Sequence, residues 1–506
     1  MNPRALTYDS AMKPNIFKFA IAAILTAAMT VGALAQTVVI KNASIVDGSG
    51  KAAFAGDVRI KNGSIVKIGK LKPKKNETVF DAGGKTLAPG FIDIHNHSED
   101  GLLEEGTATN QVSQGITTIL VGPDGGSPFP IADYLAKLNG KIGPNVGAFI
   151  GHASLREQVM NGDFRRQTTA AELSKMLELM EQAMKDGAFG LSSGLEYDTG
   201  FSASTDEMIA LAKVAAKYGG IYMTHMRDEE EGLLGAIEEA IRIGREAKLP
   251  VQISHLKAGN RNVWGKSKDA IALIEAERAK GFDVTADVYP YTAWASTITV
   301  LVPSRKHDDR AEVEKGLNNV GGADKVLVTS CRAHRDYEGK TLAEIAAAKN
   351  TSPIDLYIQI VKDGGAGVVC NSMNESDVRN FISAPWAMVS SDGGIGGRHP
   401  RGTGTFTRVL GRFVRENKWF SLEEAVRKSS AMPASRLGLK DRGMIKKGYR
   451  GDLVLIDRDR VIDNATFSEP QKLSAGIEVV WVNGVSVWEG GKVTGKLPGS
   501  ILRSKF

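Results

Sequence analysis

The sequence predicts an α/β protein: a (β/α)8 barrel of the TIM type, a small β-sandwich domain built from both termini, and an insertion between the last two barrel strands. Three observations predict it. Eight short apolar runs alternate with helical patterns in the middle of the chain. Both ends are rich in short strands and Asn-Gly or Asp-Gly turns. Finally, the chain has 506 residues, whereas such a barrel takes about 250, so segments must be added to it.

Residues 1–35 are set aside first. Lys13 and Lys18 precede an uncharged apolar stretch, Phe19 to Ala35, which closes on Ala33-Leu34-Ala35. That small-x-small ending suits a signal peptidase, with Gln36 as the new N-terminus and Met12 as a rival start. The stretch is short for a membrane span of about 20 residues. The expectation is an exported protein, periplasmic or secreted, with no stable membrane insertion after cleavage.

Residues 36–88 read as strands of the small domain. Val38-Val39-Ile40, Asp57-Val58-Arg59-Ile60 and Ile65-Val66-Lys67-Ile68 are separated by turns at Asp47-Gly48 and Asn62-Gly63. Residues 436–506 repeat the pattern at Asp452–Ile456 and Val479–Val482, with a turn at Asn483-Gly484. The barrel occupies 89–435. Its eight runs are Gly90–Ile94, Ile116–Val121, Val146–Ile150, Gly187–Leu191, Ile221–Thr224, Val251–Ser254, Phe282–Ala286 and Ala387–Ser390. Amphipathic patterns such as Ala170–Asp186, Thr205–Tyr218, Leu233–Ala247 and Lys268–Lys280 supply helices between them. The surplus, 304–383, reads as a helical insertion.

Composition narrows the function classes. With 42% hydrophobic and 24% charged residues the chain is globular, and a net charge of +6 without a long basic block argues against a nucleic-acid partner. The two cysteines, Cys331 and Cys370, have no ligand spacing with a histidine; in an exported chain one disulfide between them stays open, beside the commoner outcome of separate buried thiols. Nothing in the sequence sets an oligomeric state.

The histidines carry the chemistry. Of eight, five (His95, His97, His152, His225 and His255) directly follow an apolar strand run, and Asp392 follows the eighth. The C-terminal strand ends of such a barrel converge on one rim, where its reactive groups lie. In Phe91-Ile92-Asp93-Ile94-His95-Asn96-His97, strand alternation would put both imidazoles on one face. Joined by His225, His255 and Asp392, they suit zinc or a similar borderline metal, as one or two ions.

The order of these residues resembles the amidohydrolase superfamily. Finer motifs are similar to those of the N-acyl-D-amino-acid deacylases (D-aminoacylases): Ala88–Asp93, Gly187–Tyr197, Tyr222–Glu229, Ile253–Lys257 and His399-Pro400-Arg401-Gly402. The resemblance runs from about residue 38 to 495. It implies hydrolysis of the amide bond of a small N-acyl-D-amino acid, with Asp392 as general base and then acid on a metal-activated water. It implies one metal on His225 and His255, a second on His95 and His97, and an α-carboxylate gripped by Lys257, Tyr291 and Arg401. His152, at the third strand end, is an active-site candidate without a settled role. Arg227, Asp228 and Glu229 read as a structural ion-pair cluster.

One departure stands out. Many members carry a bridging cysteine after the second strand, in Gly-Asn-Cys-Gly; here the chain reads Gly122-Pro123-Asp124-Gly125. Asp124 is the favoured replacement bridge and Glu196 the rival. Two other functions stay open: a cyclic-amide hydrolase or dipeptidase on the same metal site, and a non-catalytic binding protein.

Overall fold

The computed structural model describes residues 37–504; the expected signal peptide lies outside them. Among the described residues, no helix is long and apolar enough to cross a membrane.

Eight parallel strands form the barrel. They are β1 (Phe91–Asp93), β2 (Ile116–Val121), β3 (Asn145–Ala148, resuming at Ile150–Gly151), β4 (Gly190–Gly194), β5 (Ile221–His225), β6 (Val251–Ile253), β7 (Val284–Val288) and β8 (Ala387–Val389). Regular pairing runs β1-β2-β3 and from the second half of β3 through β4, β5, β6 and β7 to β8. The ring closes between β8 and β1, where Asn96 bridges Gly393 in parallel and the Asp392 N–H donates to the His95 carbonyl at 3.0 Å. Strand residues are buried throughout, as parallel strands covered by helices must be. Ile92, Leu120, Met223 and Met388 pack into one cluster. Helices such as Ala170–Lys185 and Leu233–Ala247 cover the outside. The first starts on a Thr169–Glu172 capping box, which satisfies otherwise unpaired N–H groups.

The termini meet in one nine-stranded sheet whose central order joins Leu453–Ile456 to Thr86–Pro89 and then to Thr37–Ile45. Thr37–Ile45 is irregular between Ile40 and Ala43. Its first half pairs with Thr78–Asp81 and its end with Thr86–Leu87. The sheet curls on itself, with Phe80 edge-on to Trp481 at 5.4 Å, around a core of its own that includes Ile40, Val58, Leu455 and Val479.

The insertion differs from the all-helical expectation. Between β7 and β8 lie three antiparallel strands, Trp294–Thr297, Val326–Ser330 and Gly367–Cys370, packed with the helices Arg310–Val320, Leu342–Ala348 and Pro353–Lys362. Val326-Leu327-Val328 and Val368-Val369 are short apolar runs whose strand partners all lie far off in the chain, so no local period marks them. The helix Glu375–Ser383 packs on β7, β8 and Ser267–Ala279, and so belongs to the barrel rather than to the insertion. Both cysteines are buried and unpaired.

Candidate active site

Six histidine and aspartate side chains converge at the C-terminal rim. His95 and His97 do not sit on a strand: β1 ends at Asp93, and a bend carries both rings inward. Alternation therefore reaches the right outcome through the wrong backbone. His95 Nε2 lies 3.1 Å from Asp124 Oδ2 and 3.4 Å from Asp392 Oδ1, and His97 Nε2 lies 3.3 and 3.2 Å from the same two oxygens. On the other side His255 Nε2 is 3.3 Å from Asp124 Oδ2 and 2.9 Å from His225 Nδ1. Two compact ligand groups result, His95–His97–Asp124–Asp392 and Asp124–His225–His255, and Asp124 belongs to both. A third group, Glu196–His225–Glu229, makes Glu196 a neighbour of one histidine rather than a link between pairs.

The backbone is bent to achieve this. Asp124, His255 and Asp392 all adopt left-handed conformations, with φ of 54°, 33° and 48°. Such residues cost roughly 1–3 kcal/mol each and persist only where surroundings over-determine them. The Asp124 turn is pressed against β4, where a Cβ on Gly194 would stand 2.3 Å from the Asp124 carbonyl oxygen, so only glycine fits.

The donor set fits a borderline divalent cation. Asp124 Oδ1 is buried with no hydrogen-bond partner, an acceptor left free for an ion. Electrostatics agree. Burial acts to lower the His97 pKa, but hydrogen bonds with Asp124 and Asp392 outweigh it and raise it to about 9. His255, also opposed by burial and by Lys257, is raised to about 9 by Glu229, Asp124 and Asp392. Burial likewise opposes ionisation of Asp124 and Asp392. For Asp124, His95 and His255 hold the carboxyl well below the usual range, and for Asp392 Arg401 and His95 do so. The anionic cluster thus attracts positive charge, which protons or metal can supply.

Supporting residues surround the cluster. Asp287 on β7, fully buried, accepts from the His255 N–H at 2.9 Å and the Ser390 hydroxyl at 2.6 Å, and stands 3.2 Å from His95 Nδ1. Carboxylates in this position orient ligand imidazoles and raise their basicity. Its only sequence signal is an acid inside the apolar run Val284-Thr285-Ala286-Asp287-Val288, within the strand rather than past its end where the histidines fall. Glu196 lies 2.6 Å from His225 Nε2, and the Tyr197 hydroxyl lies 3.1 Å from His225 Nδ1.

The remaining predicted residues divide. Lys257 and Arg401 line a cavity of about 180 Å³ at the cluster. Lys257 Nζ pairs with Glu229 and approaches His255 Nδ1 at 2.8 Å, and Arg401 Nη1 pairs with Asp392 Oδ2 at 2.7 Å, leaving Arg401 Nε buried without a partner. Tyr291 is not brought to this cavity: its hydroxyl donates to the Pro400 carbonyl at 3.4 Å, and Arg408 lies over its ring. His152 is also elsewhere, fully buried and 2.8 Å from Glu207 Oε1, which Arg156 holds as well. The break in β3 turns the chain directly into the helix His152–Met160, which takes the imidazole away from the rim. Arg227 forms the structural pair expected, with Glu239 at 2.9 Å, but Glu229 faces His255 and Lys257 inside the site. Glu230 also lines the cavity; burial, with Glu196 and Asp228 nearby, raises its pKa to about 9. A more open groove of about 700 Å³ begins at His97, Asp124 and Tyr197 and continues along Leu103 and Phe129.

A closed barrel with a histidine–carboxylate metal cluster at its C-terminal rim defines a class of metal-dependent hydrolases. Comparison with known proteins places the chain within it: the family model described as "Amidohydrolase family" matches residues 78–488. A D-aminoacylase of Alcaligenes xylosoxydans xylosoxydans is 35% identical over 91% of this chain and 96% of its own length. An N-acyl-D-aspartate deacylase of the same organism is 35% identical over 92% and 94%. The crystal structure of the N-acyl-D-glutamate deacylase of Bordetella bronchiseptica, complexed with zinc and a phosphonate mimic of the tetrahedral intermediate, superposes with a TM-score of 0.85. It is 33% identical over 93% of this chain and 99% of that one. The chain belongs to the amidohydrolase family, within its N-acyl-D-amino-acid deacylase (D-aminoacylase) branch.

Proposed function

We propose that this protein is a zinc-dependent deacylase that hydrolyses N-acyl-D-amino acids to a carboxylate and a free D-amino acid. The observation that carries the reading is the position of Asp124, shared by both ligand groups, with Asp392 beside it. The relatives named for D-amino-acid substrates supply the stereochemistry.

His225 and His255 with Asp124 would hold one ion, and His95 and His97 with Asp124 and Asp392 a second. When bound, the metal polarises the amide carbonyl and lowers the pKa of water to about 7. Asp392 is ionised, with Oδ2 held by Arg401 and Oδ1 turned toward the histidines. It accepts a proton from the attacking water and returns it to the departing nitrogen as the C–N bond breaks and the new C–O bond stays with the acyl group. The unpartnered Nε of Arg401, with Lys257, provides the cationic donors an α-carboxylate needs. With the amino-acid half in the enclosed cavity, the groove along Leu103 and Phe129 takes the acyl half.

Export to the periplasm is part of the same proposal and rests on Lys13, Lys18 and Ala33-Leu34-Ala35. N-terminal sequencing of the protein from the periplasmic fraction should begin at Gln36. An unprocessed N-terminus in the cytoplasm overturns it.

The deciding experiment measures amine release by zinc-reconstituted protein from matched N-acetyl-D- and N-acetyl-L-amino acids, with cyclic amides and dipeptides beside them. Release from the D series alone is expected. Release only from rings or dipeptides would overturn the deacylase reading and leave the metal site standing.

A further inference from the structure

Resting on that deacylase reading, we infer that Glu230 is a specificity residue. The wall formed by Glu230, Trp294, Ser296 and Val300 takes the side chain of the D-amino acid and selects side chains ending in a hydrogen-bond donor (amide, ammonium or guanidinium) over carboxylates.

Glu230 is 6% exposed and lines the cavity beside the metal-ligand cluster, yet takes no part in either ligand group that shares Asp124. Its backbone is fixed, with its N–H donating to Asp228 Oδ1 at 2.7 Å. The side chain hydrogen-bonds with Asn260, and its charged neighbours are acids, Glu196, Asp228 and Glu231. The strand Trp294–Thr297 of the insertion faces it across the cavity's lining, and Trp294 is anchored through its indole N–H to the Gly259 carbonyl at 3.1 Å.

A further polar atom of the lining lacks a partner: Ser296 Oγ is buried and unsatisfied. With the Glu230 carboxyl, this hydroxyl forms a polar patch with free acceptor lone pairs that a donor on the ligand would complete. The cavity's two cations are committed. Lys257 is paired with Glu229 and Arg401 with Asp392, and the α-carboxylate takes what both have left in the proposed binding mode. A second carboxylate, on an aspartate or glutamate side chain, would enter beside the acids Glu196 and Glu229 with both lining cations already engaged. The similarity to relatives named for acidic D-residues does not settle this, because a D-aminoacylase and an N-acyl-D-aspartate deacylase are equally identical to the chain. A hydrogen-bonding pocket discriminates strongly between isosteres, since the wrong one leaves buried groups unpaired.

The test compares kcat/KM for matched pairs with zinc-loaded protein: N-acetyl-D-glutamine against the isosteric N-acetyl-D-glutamate, and N-acetyl-D-lysine against N-acetyl-D-norleucine, which lacks the ammonium. Glutamine should exceed glutamate by about a hundredfold and lysine should exceed norleucine by about tenfold. Glu230→Leu should lower both ratios at least about tenfold, and Glu230→Lys should shift the first toward glutamate, with circular dichroism and zinc content confirming folded protein. A wild type that prefers glutamate overturns the inference and leaves the deacylase reading intact. Unchanged ratios in both folded variants overturn the assignment to Glu230. No turnover of any D compound overturns the deacylase reading and this inference with it.

Discussion

The two histidine pairs that meet at Asp124 are built differently. His225 and His255 are 5% and 3% exposed in their side chains, and each is held from behind: His225 by Glu196 and Tyr197, His255 by Glu229, Lys257 and its own backbone bond to Asp287. In the other pair His95 is fully enclosed, but His97 is 38% exposed, and its ring meets Asp124, Asp392 and the edge of the His95 ring. A ligand with locked neighbours loses little freedom when it binds an ion, and a dry site strengthens each charge interaction. The His225–His255 side is therefore the preorganised, tight half of the centre, and the His97 side the loose half.

Breaking the shared residue should have the largest effect. Asp124→Ala should lose zinc from both halves and lower kcat/KM by about ten-thousandfold, some 5 kcal/mol of transition-state stabilisation. Metal analysis with kinetics checks this, and full zinc content would show that the link lies elsewhere. Removing His255 should cost about a thousandfold and one tightly held zinc. His97→Ala should cost only about tenfold and release the weaker zinc first; equal losses from the two variants would abolish the contrast between the halves. Asp392→Asn separates chemistry from binding, with turnover down about 10²–10⁴-fold while zinc bound by His225 and His255 stays. Asp287→Asn, acting through His95 and His255, should weaken metal affinity about 10–100-fold, read by competition with a chelator.

The smallest effect is in pH. In the metal-free protein the acids raise His97 and His255 to about 9, so both carry protons at neutral pH. Zinc needs them neutral, so loading must release protons, and apparent affinity should rise with pH through about 9. Calorimetry in buffers of different ionisation enthalpy reads that release directly. Zinc uptake with no proton release at pH 7 would show that the cluster does not protonate its histidines.

The outline of the molecule was legible because its signals are local. Each barrel strand is a short apolar run, and the ligand residues His95, His97, His225, His255 and Asp392 all fall just past such runs. The missed features depend on distant chain. Gly367–Cys370 is a strand only because Trp294–Thr297 and Val326–Ser330 pair with its two edges, and Asp287 supports the centre only because β7 lies beside both His95 and His255. Tyr291 and His152 show the opposite error. Their sequence neighbourhoods look functional, but Pro400, Arg408, Glu207 and Arg156 claim their side chains in space.

By itself, the sequence determined the barrel, the two-ended β domain and the chemical types available at one rim, since hydrophobic period and strand-end position are written residue by residue. Only the tertiary structure decided which carboxylate joins the two histidine pairs. Asp124 and Glu196 are both acids just beyond barrel strands. The choice follows from a left-handed turn pressed against Gly194, which aims Asp124 between three imidazoles and leaves Glu196 facing one.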